Sequence, residues 1–263
     1  NISPHNAKLK TYLDDMAPVV ALKPDALIMA DPGLIDMVRE RFPEIPVHLS
    51  VQANTVNWAS VRFWGKMGIS RVILSRELSL DEVAEIRQQC PEMEIEVFVH
   101  GALCIAYSGR WDYKLKPDAE AEAVPGLTGS KFPPLVVEES TRVGEQMPIE
   151  EDEHGTYIMN SRDLRAIEHV ERLIEIGVDS LKIEGRTKSP YYVARTCQAY
   201  RRAIDDAKAG RPFNPNLLGE LEGLANRGYT DGFYQRHHDS DTQNYLRGYS
   251  ESGRSQYAGD VVW

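Results

Sequence analysis

Short apolar runs alternate along the first hundred residues with longer stretches whose apolar positions recur at helical spacing. The runs predict strands, and the stretches between them predict helices. Strand starts lie about 21 to 25 residues apart, the length of one strand–helix unit with short loops. Strands are predicted at 26–30, 47–50, 71–75 and 97–99, and helices at 32–42, 52–67 and 79–89. This order favours parallel strands in an α/β fold.

Two predicted helix boundaries carry signals of their own. Ser79 is followed three residues later by Glu82, the spacing of a capping box at a helix start. Gly68 comes directly after the apolar helix end formed by Trp64 and Met67 and predicts a C-terminal stop. The helix limits are therefore predicted by local chemistry as well as by the apolar pattern.

The periodicity is lost between Trp111 and Glu153. Pro, Gly, Glu and Ala dominate there, with one extended segment at 135–137, so we predict an irregular insertion. Regular structure resumes with a strand at 157–160, a helix from Asp163 to Ile176 that Gly177 ends, and a strand at 180–184.

A long helix is predicted from Ser189, with Pro190 at its first position, to Ala209. Gly210 is its predicted stop, and a further helix is predicted at 217–225. The long helix is expected to bury an apolar stripe formed by Val193, Cys197, Tyr200, Ile204 and Ala207.

The six predicted strands are fewer than the eight that a (β/α)8 barrel needs. We predict a TIM-barrel-like α/β domain of which this chain lacks the first strands, with an open doubly wound sheet as the alternative. The predicted organisation is barrel units at 1–110, an irregular insertion at 111–153, the remaining barrel units at 154–212 and a C-terminal extension at 213–263.

Composition narrows the class of protein. The 263 residues carry a net charge of −10, which argues against a non-specific nucleic-acid binder. No window approaches 18 uninterrupted apolar residues and no signal peptide is recognisable, so no membrane partner and a cytoplasmic location are expected. Three cysteines, Cys90, Cys104 and Cys197, are too few and scattered for a disulfide framework.

Polar side chains follow the predicted strands at their carboxyl ends, where α/β proteins build their sites. If the strands are parallel, these residues converge on one face and form a site. The alternative is that they are polar only because loops after strands are usually polar. Arg76 and Glu77, in particular, are also explained as a surface ion pair. The set comprises Asp31, Ser50, Gln52, Asn54, Ser75, Arg76, Glu77, His100, Cys104, Asn160, Arg162, Glu184, Arg186 and Lys188.

Common catalytic motifs are absent from the sequence, which has no dinucleotide-binding glycine pattern, P-loop, zinc-protease motif or nucleophile elbow. Cys104 and His100 lie in one loop and could form a nucleophile–base pair, but no third orienting group is evident. Cys104 is also a candidate metal ligand, whereas Cys90 and Cys197 are expected to be packing residues.

The stretch F-V-H-G-A-L-C-I-A-Y-S-G-R at 98–110 resembles the signature of peptidase family U32, the collagenase-like proteases. Further similar segments are L-S-V-Q-A-N, E-D-E-H-G-T-Y-I-M-N-S-R-D-L, S-L-K-I-E-G-R-T-K-S-P-Y-Y-V-A-R and R-G-Y-T-D-G-F-Y. The resemblance covers nearly the whole chain. It is strongest to a branch of the family that modifies tRNA, and it implies a barrel-like fold.

For that branch the resemblance implies an enzyme that hydroxylates the wobble uridine of tRNA at carbon 5 without oxygen. Prephenate, a small dicarboxylate, is the implied hydroxyl donor, and tRNA the implied partner. The rival expectation, from the family name, is a peptidase or collagenase-like hydrolase. It predicts peptide cleavage that is lost on Cys104→Ser or on chelation.

The resemblance also implies an iron–sulfur cluster, which needs about four thiolates. Relatives carry a cysteine-rich stretch after the position of Arg110, and Cys104 is the one matching ligand in this chain. Either this protein has lost the cluster, or the native protein has such a stretch between Arg110 and Trp111 that is absent from this sequence. We expect the second. A normal peptide bond joining these two residues would contradict the expectation.

Within this interpretation, Arg76, Arg186 and Lys188 are the expected partners of carboxylates or phosphates. Glu184 and His100 are the candidates for proton transfer. Gln52, Asn54 and Asn160 are expected to contact polar edges of the substrates. Glu77, next to Arg76 in the sequence, is also expected to take part in substrate binding. The basic residues Arg186, Lys188, Arg195, Arg201, Arg202, Lys208 and Arg211 form either an RNA-facing surface or a solvated helix face.

Overall fold

The computed structural model describes residues 5–102, 113–117, 135–139, 146–152, 155–158, 162–186, 188–226 and 228–235. Of the four short segments between 113 and 158 only the backbone is considered. Cys104, Asn160 and the Arg110–Trp111 junction lie outside the described residues, and the predictions made for them stay predictions.

The first half of the chain consists of strand–helix units, as the sequence predicts. Helix α1 spans Asn6–Ala21, and three units follow. They are β1 (Leu27–Met29) with α2 (Pro32–Arg41), β2 (Val47–Leu49) with α3 (Trp58–Lys66), and β3 (Arg71–Ile73) with α4 (Leu80–Gln89). Strand β4 (Glu94–Ala102) is the longest strand of the main sheet.

Side chains fix the helix starts. Asp31 accepts a hydrogen bond from the Leu34 amide at the start of α2, with Pro32 at the first helical position. The predicted capping box of Ser79 and Glu82 is present at the start of α4. The predicted helix at 52–67 is shorter than expected, because a 3-10 turn at Val51–Ala53 precedes α3 and Asn57 caps α3 itself.

The stretch predicted to be an irregular insertion contains a small antiparallel sheet. Its strands are β5 (Tyr113–Pro117), β6 (Leu135–Glu139), β7 (Gln146–Asp152) and β8 (Gly155–Ile158), paired in that order. The strand predicted at 157–160 therefore begins earlier and belongs to this sheet. Mixed Pro, Ile and Glu sequences such as β7 lack the alternation that reveals a strand.

The helix predicted from Asp163 begins later than expected. Strand β9 (Asp163–Arg165) and a 3-10 turn at Ile167–His169 come first, and α5 spans Val170–Ile176. Gly177 ends α5 at φ +86°, as predicted. Strand β10 (Ser180–Ile183), α6 (Pro190–Lys208), α7 (Asn216–Glu222) and β11 (Tyr229–Thr230) complete the described elements.

Helix α6 buries a face next to the predicted one. Ser189 and Pro190 start it as predicted, but Val193 is 36% exposed and Cys197 is exposed. Cys197 is therefore not a packing residue, whereas Cys90 is buried as expected. The residues that α6 buries are Tyr192, Thr196, Ala199, Tyr200 and Ala203. Tyrosine and threonine rank low as core residues, and this misplaced the stripe.

The main sheet is α/β and largely parallel. Its strand order is β1-β2-β3-β4-β9-β11, with β10 also paired to β4. The β4–β9 pair is antiparallel, an exception to the predicted parallel pattern. Among the described residues, no pairing joins β11 back to β1, so closure into a barrel and the proposed domain limits stay predictions.

The core lies where the sheet meets its helices. Leu49, Val72 and Ile95 are at most 1% exposed on β2, β3 and β4. They belong to one cluster with Val38 of α2 and Val61 of α3. Burial of such side chains contributes about 1.5–3 kcal/mol each and fixes the strands relative to one another. The carboxyl ends of β2, β3, β4 and β10 are thereby held at one edge of the sheet.

Candidate functional site

Two charged side chains predicted from the strand ends meet at this edge. Arg76 follows β3, Glu184 follows β10, and Arg76 Nη2 lies 2.5 Å from Glu184 Oε2. The Arg76 guanidinium also stacks on Phe98 of β4, with Cζ 3.8 Å from the ring centroid. Arg76 thus pairs with a residue 108 positions away in the sequence.

Gly101 makes the approach of β10 to β4 possible. The Glu184 amide donates to the His100 carbonyl at 2.9 Å, and Gly101 takes a φ of +108°. A Cβ at residue 101 would lie 2.2 Å from the Glu184 carbonyl oxygen. Only glycine combines this backbone conformation with the close contact, and the contact places Glu184 beside Arg76.

His100 lies behind this pair in a buried aromatic cluster. Its side chain is buried, and its ring centroid is 5.4–5.7 Å from those of Tyr192, Tyr200 and Tyr229. Burial lowers the pKa of His100 to about 4, against a smaller opposing effect of the Asp163 carboxylate. His100 is therefore neutral at pH 7.

The hydrogen bonds of Tyr200 determine the tautomer of His100. The Tyr200 hydroxyl donates to the Val99 carbonyl at 2.6 Å and accepts from the Ala166 amide at 3.2 Å. Its remaining capacity is that of an acceptor, and His100 Nδ1 lies 3.4 Å away. We assign the imidazole proton to Nδ1, which leaves Nε2 as an unprotonated, buried atom without a hydrogen-bond partner among the described residues.

Lys188 is directed into the protein. Its Nζ lies 3.2 Å from Asp163 Oδ2, donates to the Ala225 carbonyl at 3.0 Å and stands 5.0 Å from the centre of the Tyr192 ring. Asp163 is fully buried. Lys188 therefore serves an internal ion pair, which weakens its expected role as a partner of substrate carboxylates.

Several residues of the cluster were missed by sequence reasoning. Asp163, Phe98 and the buried tyrosines follow no catalytic motif, and Tyr234, whose hydroxyl donates to the Phe98 carbonyl at 2.5 Å, lies 136 positions from its partner. The available signal was the similarity of the segments around Tyr192 and Tyr229 to family motifs, since those segments supply the cluster.

The remaining predicted residues lie in the segments that follow β2, β3 and β10. Gln52 and Arg186 are exposed, and Glu77 is half-buried. Asn54 occupies the left-handed region at φ +52° directly after the 3-10 turn that follows β2. Within the described ranges, no hydrogen bond or ion pair links Gln52, Asn54 or Arg186 to Arg76 and Glu184.

Two polar atoms beside β2 are buried and have no hydrogen-bond partner among the described residues. They are Asn54 Oδ1 and Thr55 Oγ1, and Thr55 is only 1% exposed. The Thr55 carbonyl accepts from the Ser75 amide at 3.1 Å, which holds this loop against the end of β3. Buried polar atoms of this kind are expected to have a partner, so Asn54 and Thr55 are candidate ligand contacts.

The described thiols do not form a cluster site. Cys90 is buried after α4 and its Sγ lies 3.4 Å from the Trp58 carbonyl oxygen, while Cys197 is exposed on α6. In the part of the chain that the structure describes, no group of three or more His, Cys, Asp or Glu could hold a metal ion. Cys104 lies outside the described residues, so the iron–sulfur cluster stays a prediction.

The basic residues of α6 are mostly neutralised. Arg195 and Arg202 both contact Glu220, at 3.0 and 2.7 Å, and Arg201 pairs with Asp205 at 2.6 Å. Beyond the helix, Arg211 pairs with Asp206 at 2.6 Å. These ion pairs favour the interpretation of this segment as a solvated helix face rather than an RNA-facing surface.

None of the helices in the described part of the chain is long and apolar enough to span a membrane.

Comparison with known proteins identifies relatives along the whole chain. The profile of peptidase family U32 matches residues 1–244. The chain is 56% identical over 303 residues to "tRNA hydroxylation protein P" of Escherichia coli (strain K12), which covers 100% of this chain and 66% of that protein. The Haemophilus influenzae protein of the same name is 53% identical over 304 residues with the same coverage. The chain thus spans slightly under two thirds of these relatives.

More distant similarities carry the hydrolase name. The "Collagenase" of Porphyromonas gingivalis is 31% identical over 204 residues, covering 72% of this chain and 48% of that protein. A solved structure of a U32 peptidase aligns with 38% of this chain and 39% of its own, at a TM-score of 0.31 and 22% identity.

Proposed function

The chain belongs to peptidase family U32, and from that premise we propose that it acts in the hydroxylation of tRNA. The observation that carries the proposal is the 56% and 53% identity, across this entire chain, to two relatives named for tRNA hydroxylation. This chain spans 66% of the length of each of those relatives, and the activity that their names give is proposed for it on the basis of this identity.

We propose that the reaction converts wobble uridine to 5-hydroxyuridine, with prephenate as the hydroxyl donor and without oxygen. Arg76 is one candidate partner for a donor carboxylate, because its planar guanidinium lies at the strand edge against Phe98 and Glu184 and can bond more than one carboxylate. Arg186 is exposed two residues beyond Glu184 and is the second candidate. Lys188 is engaged with Asp163 and is set aside for this role.

Glu184 is the better of the two candidates for proton transfer. Hydroxylation at carbon 5 replaces a C–H bond by a C–OH bond, a two-electron oxidation for which the hydroxyl donor must serve as the oxidant. Because the donor takes up the electrons, the hydrogen leaves carbon 5 as a proton. The Glu184 carboxylate is 35% exposed at the edge, whereas His100 is 1% exposed. A proton acceptor must reach the reacting atom, and this favours Glu184.

Asn54 and Thr55 are proposed to contact the polar edge of a bound substrate. Their buried oxygen atoms lie beside the end of β2, and a ligand that donates hydrogen bonds to them would supply partners that the described residues do not. Cys104 as an iron–sulfur ligand, with further thiolates from outside the described residues, remains a prediction from the family resemblance.

Nucleoside mass spectrometry of total tRNA tests this function. Cells lacking the gene, grown without oxygen, are complemented with the wild-type gene, with Arg76→Ala, with Arg186→Ala or with Arg201→Ala as control. We expect 5-hydroxyuridine derivatives to be lost in the deletion strain and restored by wild type and Arg201→Ala only. Unchanged nucleosides in the deletion strain would refute the function, and full restoration by Arg186→Ala would remove that residue from the site.

A peptidase is the second candidate function, favoured by the relative named "Collagenase". It requires turnover of a peptide substrate that disappears in Cys104→Ser or on addition of a chelator. The tRNA hypothesis expects no peptide turnover by the purified protein. Cleavage that survives in Arg76→Ala but not in Cys104→Ser would favour the peptidase.

A further inference from the structure

Helix α3 presents cations and large apolar side chains to solvent on one face. Arg62, Phe63, Lys66 and Met67 are all exposed, and Phe63 leaves 54% of its surface uncovered. Arg39 of α2 adds a third cation, because its guanidinium hydrogen-bonds to the Met67 carbonyl at the end of α3. We call these five residues the α3 face.

Both arginines of the α3 face contact neutral groups. Arg39 contacts a carbonyl oxygen, and Arg62 donates to the Gln89 carbonyl at 2.9 Å and stacks 4.7 Å from the Trp58 ring. Among the described residues, no carboxylate forms an ion pair with Arg39, Arg62 or Lys66, in contrast to the paired arginines of α6. The α3 face therefore keeps its positive charge.

The sequence around α3 strengthens this charge. The chain contains 40 Asp and Glu residues and has a net charge of −10, yet residues 45–76 contain neither Asp nor Glu. That segment includes the α3 cations as well as Asn54, Thr55 and Arg76 of the candidate site. An otherwise acidic chain thus has a stretch of sequence without carboxylates that carries both α3 and residues of the candidate site, and cations concentrated in this way attract anions.

Exposed aromatic rings flanked by cations match the chemistry of a single nucleic-acid strand. Bases stack on aromatic side chains, and phosphates bind Lys and Arg. The Phe63 ring is steadied by an edge contact with Trp64, with ring centroids 5.3 Å apart. Helix α3 starts at the strand edge, and Phe63 lies about 8 Å along its axis, a distance that a nucleotide strand spans easily.

We propose that the α3 face binds the tRNA strand next to the nucleotide that enters the strand edge. Phe63 stacks on a base, and Arg39, Arg62 and Lys66 contact phosphates. This inference rests on the proposed function, from which it takes tRNA as the partner. The competing occupant of a face that includes Phe63 and Met67 is a second copy of the chain.

Binding measurements with the full chain test the proposal without requiring turnover. The fluorescence anisotropy of labelled unfractionated tRNA is followed with wild type, Phe63→Ala, the double variant Arg62→Gln/Lys66→Gln and the control Arg201→Gln/Arg202→Gln. We expect Phe63→Ala to weaken binding roughly fivefold to a hundredfold. The α3 double variant should lower the slope of log K against log salt by about 1.5, while the α6 control binds as wild type.

The outcomes distinguish a failure of the proposed tRNA-binding face from a failure of the proposed hydroxylation. Wild-type affinity in both α3 variants, or the same loss in the α6 control, overturns the proposal, as does a wild type that binds no tRNA. A dimer that Phe63→Ala converts to monomer in size-exclusion chromatography, with tRNA binding unchanged, assigns the face to a second copy instead. Nucleoside analysis of the deletion strain tests the hydroxylation separately. Melting temperatures equal to that of wild type exclude unfolding of the variants as the cause of weaker binding.

Discussion

At the residue scale, Arg76 links the elements of the candidate site. Its guanidinium stacks on Phe98 and bonds Glu184, so one side chain connects the ends of β3, β4 and β10. The planar fork of arginine makes both contacts at once, which the ammonium of lysine does not. The shape of the Arg76 guanidinium, in addition to its charge, is therefore required to hold Phe98 and Glu184 together.

Arg76→Lys tests this requirement. We expect 5-hydroxyuridine in tRNA to fall at least tenfold, because the stacked fork is lost, and the free energy of unfolding to fall by about 1–2 kcal/mol. Nucleoside mass spectrometry and urea denaturation measure the two effects. Arg201→Lys, on an exposed pair with Asp205, is the matched control and should change stability by under about 0.5 kcal/mol. Wild-type levels of 5-hydroxyuridine in Arg76→Lys would show that only the positive charge of Arg76 matters and that the planar fork does not.

His100 makes the stability of the protein depend on pH. Its pKa is lowered to about 4 in the folded protein from about 6.5 in the unfolded chain, mainly by burial. The folded state therefore disfavours the imidazolium, and stability is full above pH 6.5 and is lost as the pH falls toward 4.

Replacing His100 by Gln removes this titration. Between pH 7.5 and pH 5, wild type should lose about 2 kcal/mol more of its unfolding free energy than His100→Gln does. Urea denaturation at the two pH values measures the difference. Parallel losses in both proteins would show that His100 is solvated or charged in the folded state.

At the element scale, the junction of β4 and β10 depends on Gly101. The residue combines a φ of +108° with a backbone neighbour 2.2 Å from the position of a Cβ. Side chains at such a position are strained by their own backbone and also collide with the adjacent strand. The strand end that holds Glu184 is thus set by the absence of a side chain.

Gly101→Ala should lower the unfolding free energy by about 3 kcal/mol or more and reduce hydroxylation, since β10 must move away from β4. Gly210→Ala is the matched control, because Gly210 has a φ of +66° and no atom lies within 4 Å of the position that its Cβ would take. It carries only the backbone strain, about 1 kcal/mol. Equal losses in the two variants, measured by urea denaturation, would remove the steric argument.

At the scale of the whole molecule, the Asp163–Lys188 pair ties together three distant segments. Asp163 begins β9, Lys188 precedes α6, and the Lys188 ammonium also bonds the Ala225 carbonyl after α7. A buried carboxylate that loses its cation is costly, whereas removal of both charges is tolerated.

Lys188→Met should therefore destabilise the protein by about 3–5 kcal/mol. The double variant Asp163→Asn/Lys188→Met should recover at least half of that loss. Thermal unfolding and urea denaturation of the single and double variants measure the coupling between the two residues. A double variant no more stable than Lys188→Met would show that the pair does not join the segments energetically.

The sequence determined the parts of this protein that local chemistry specifies. Strand–helix order, the capping box at Ser79 and the stops at Gly68 and Gly177 follow from periodicity and backbone preference over a few residues. The periodicity that predicts each strand also shows which polar residues follow its carboxyl end. The segments around β7 and β9 were assigned wrongly, because their mixed sequences have no clear period and the sheets themselves supply their pairing.

Only the tertiary structure decided which of those residues act together. It paired Arg76 with the distant Glu184, turned Lys188 inward to Asp163 and enclosed His100 among tyrosines. Each of these contacts joins residues many positions apart, and burial then sets their charge. The sequence alone contains the side chains, but their distances, and therefore their electrostatics, arise when long-range packing brings their strands together.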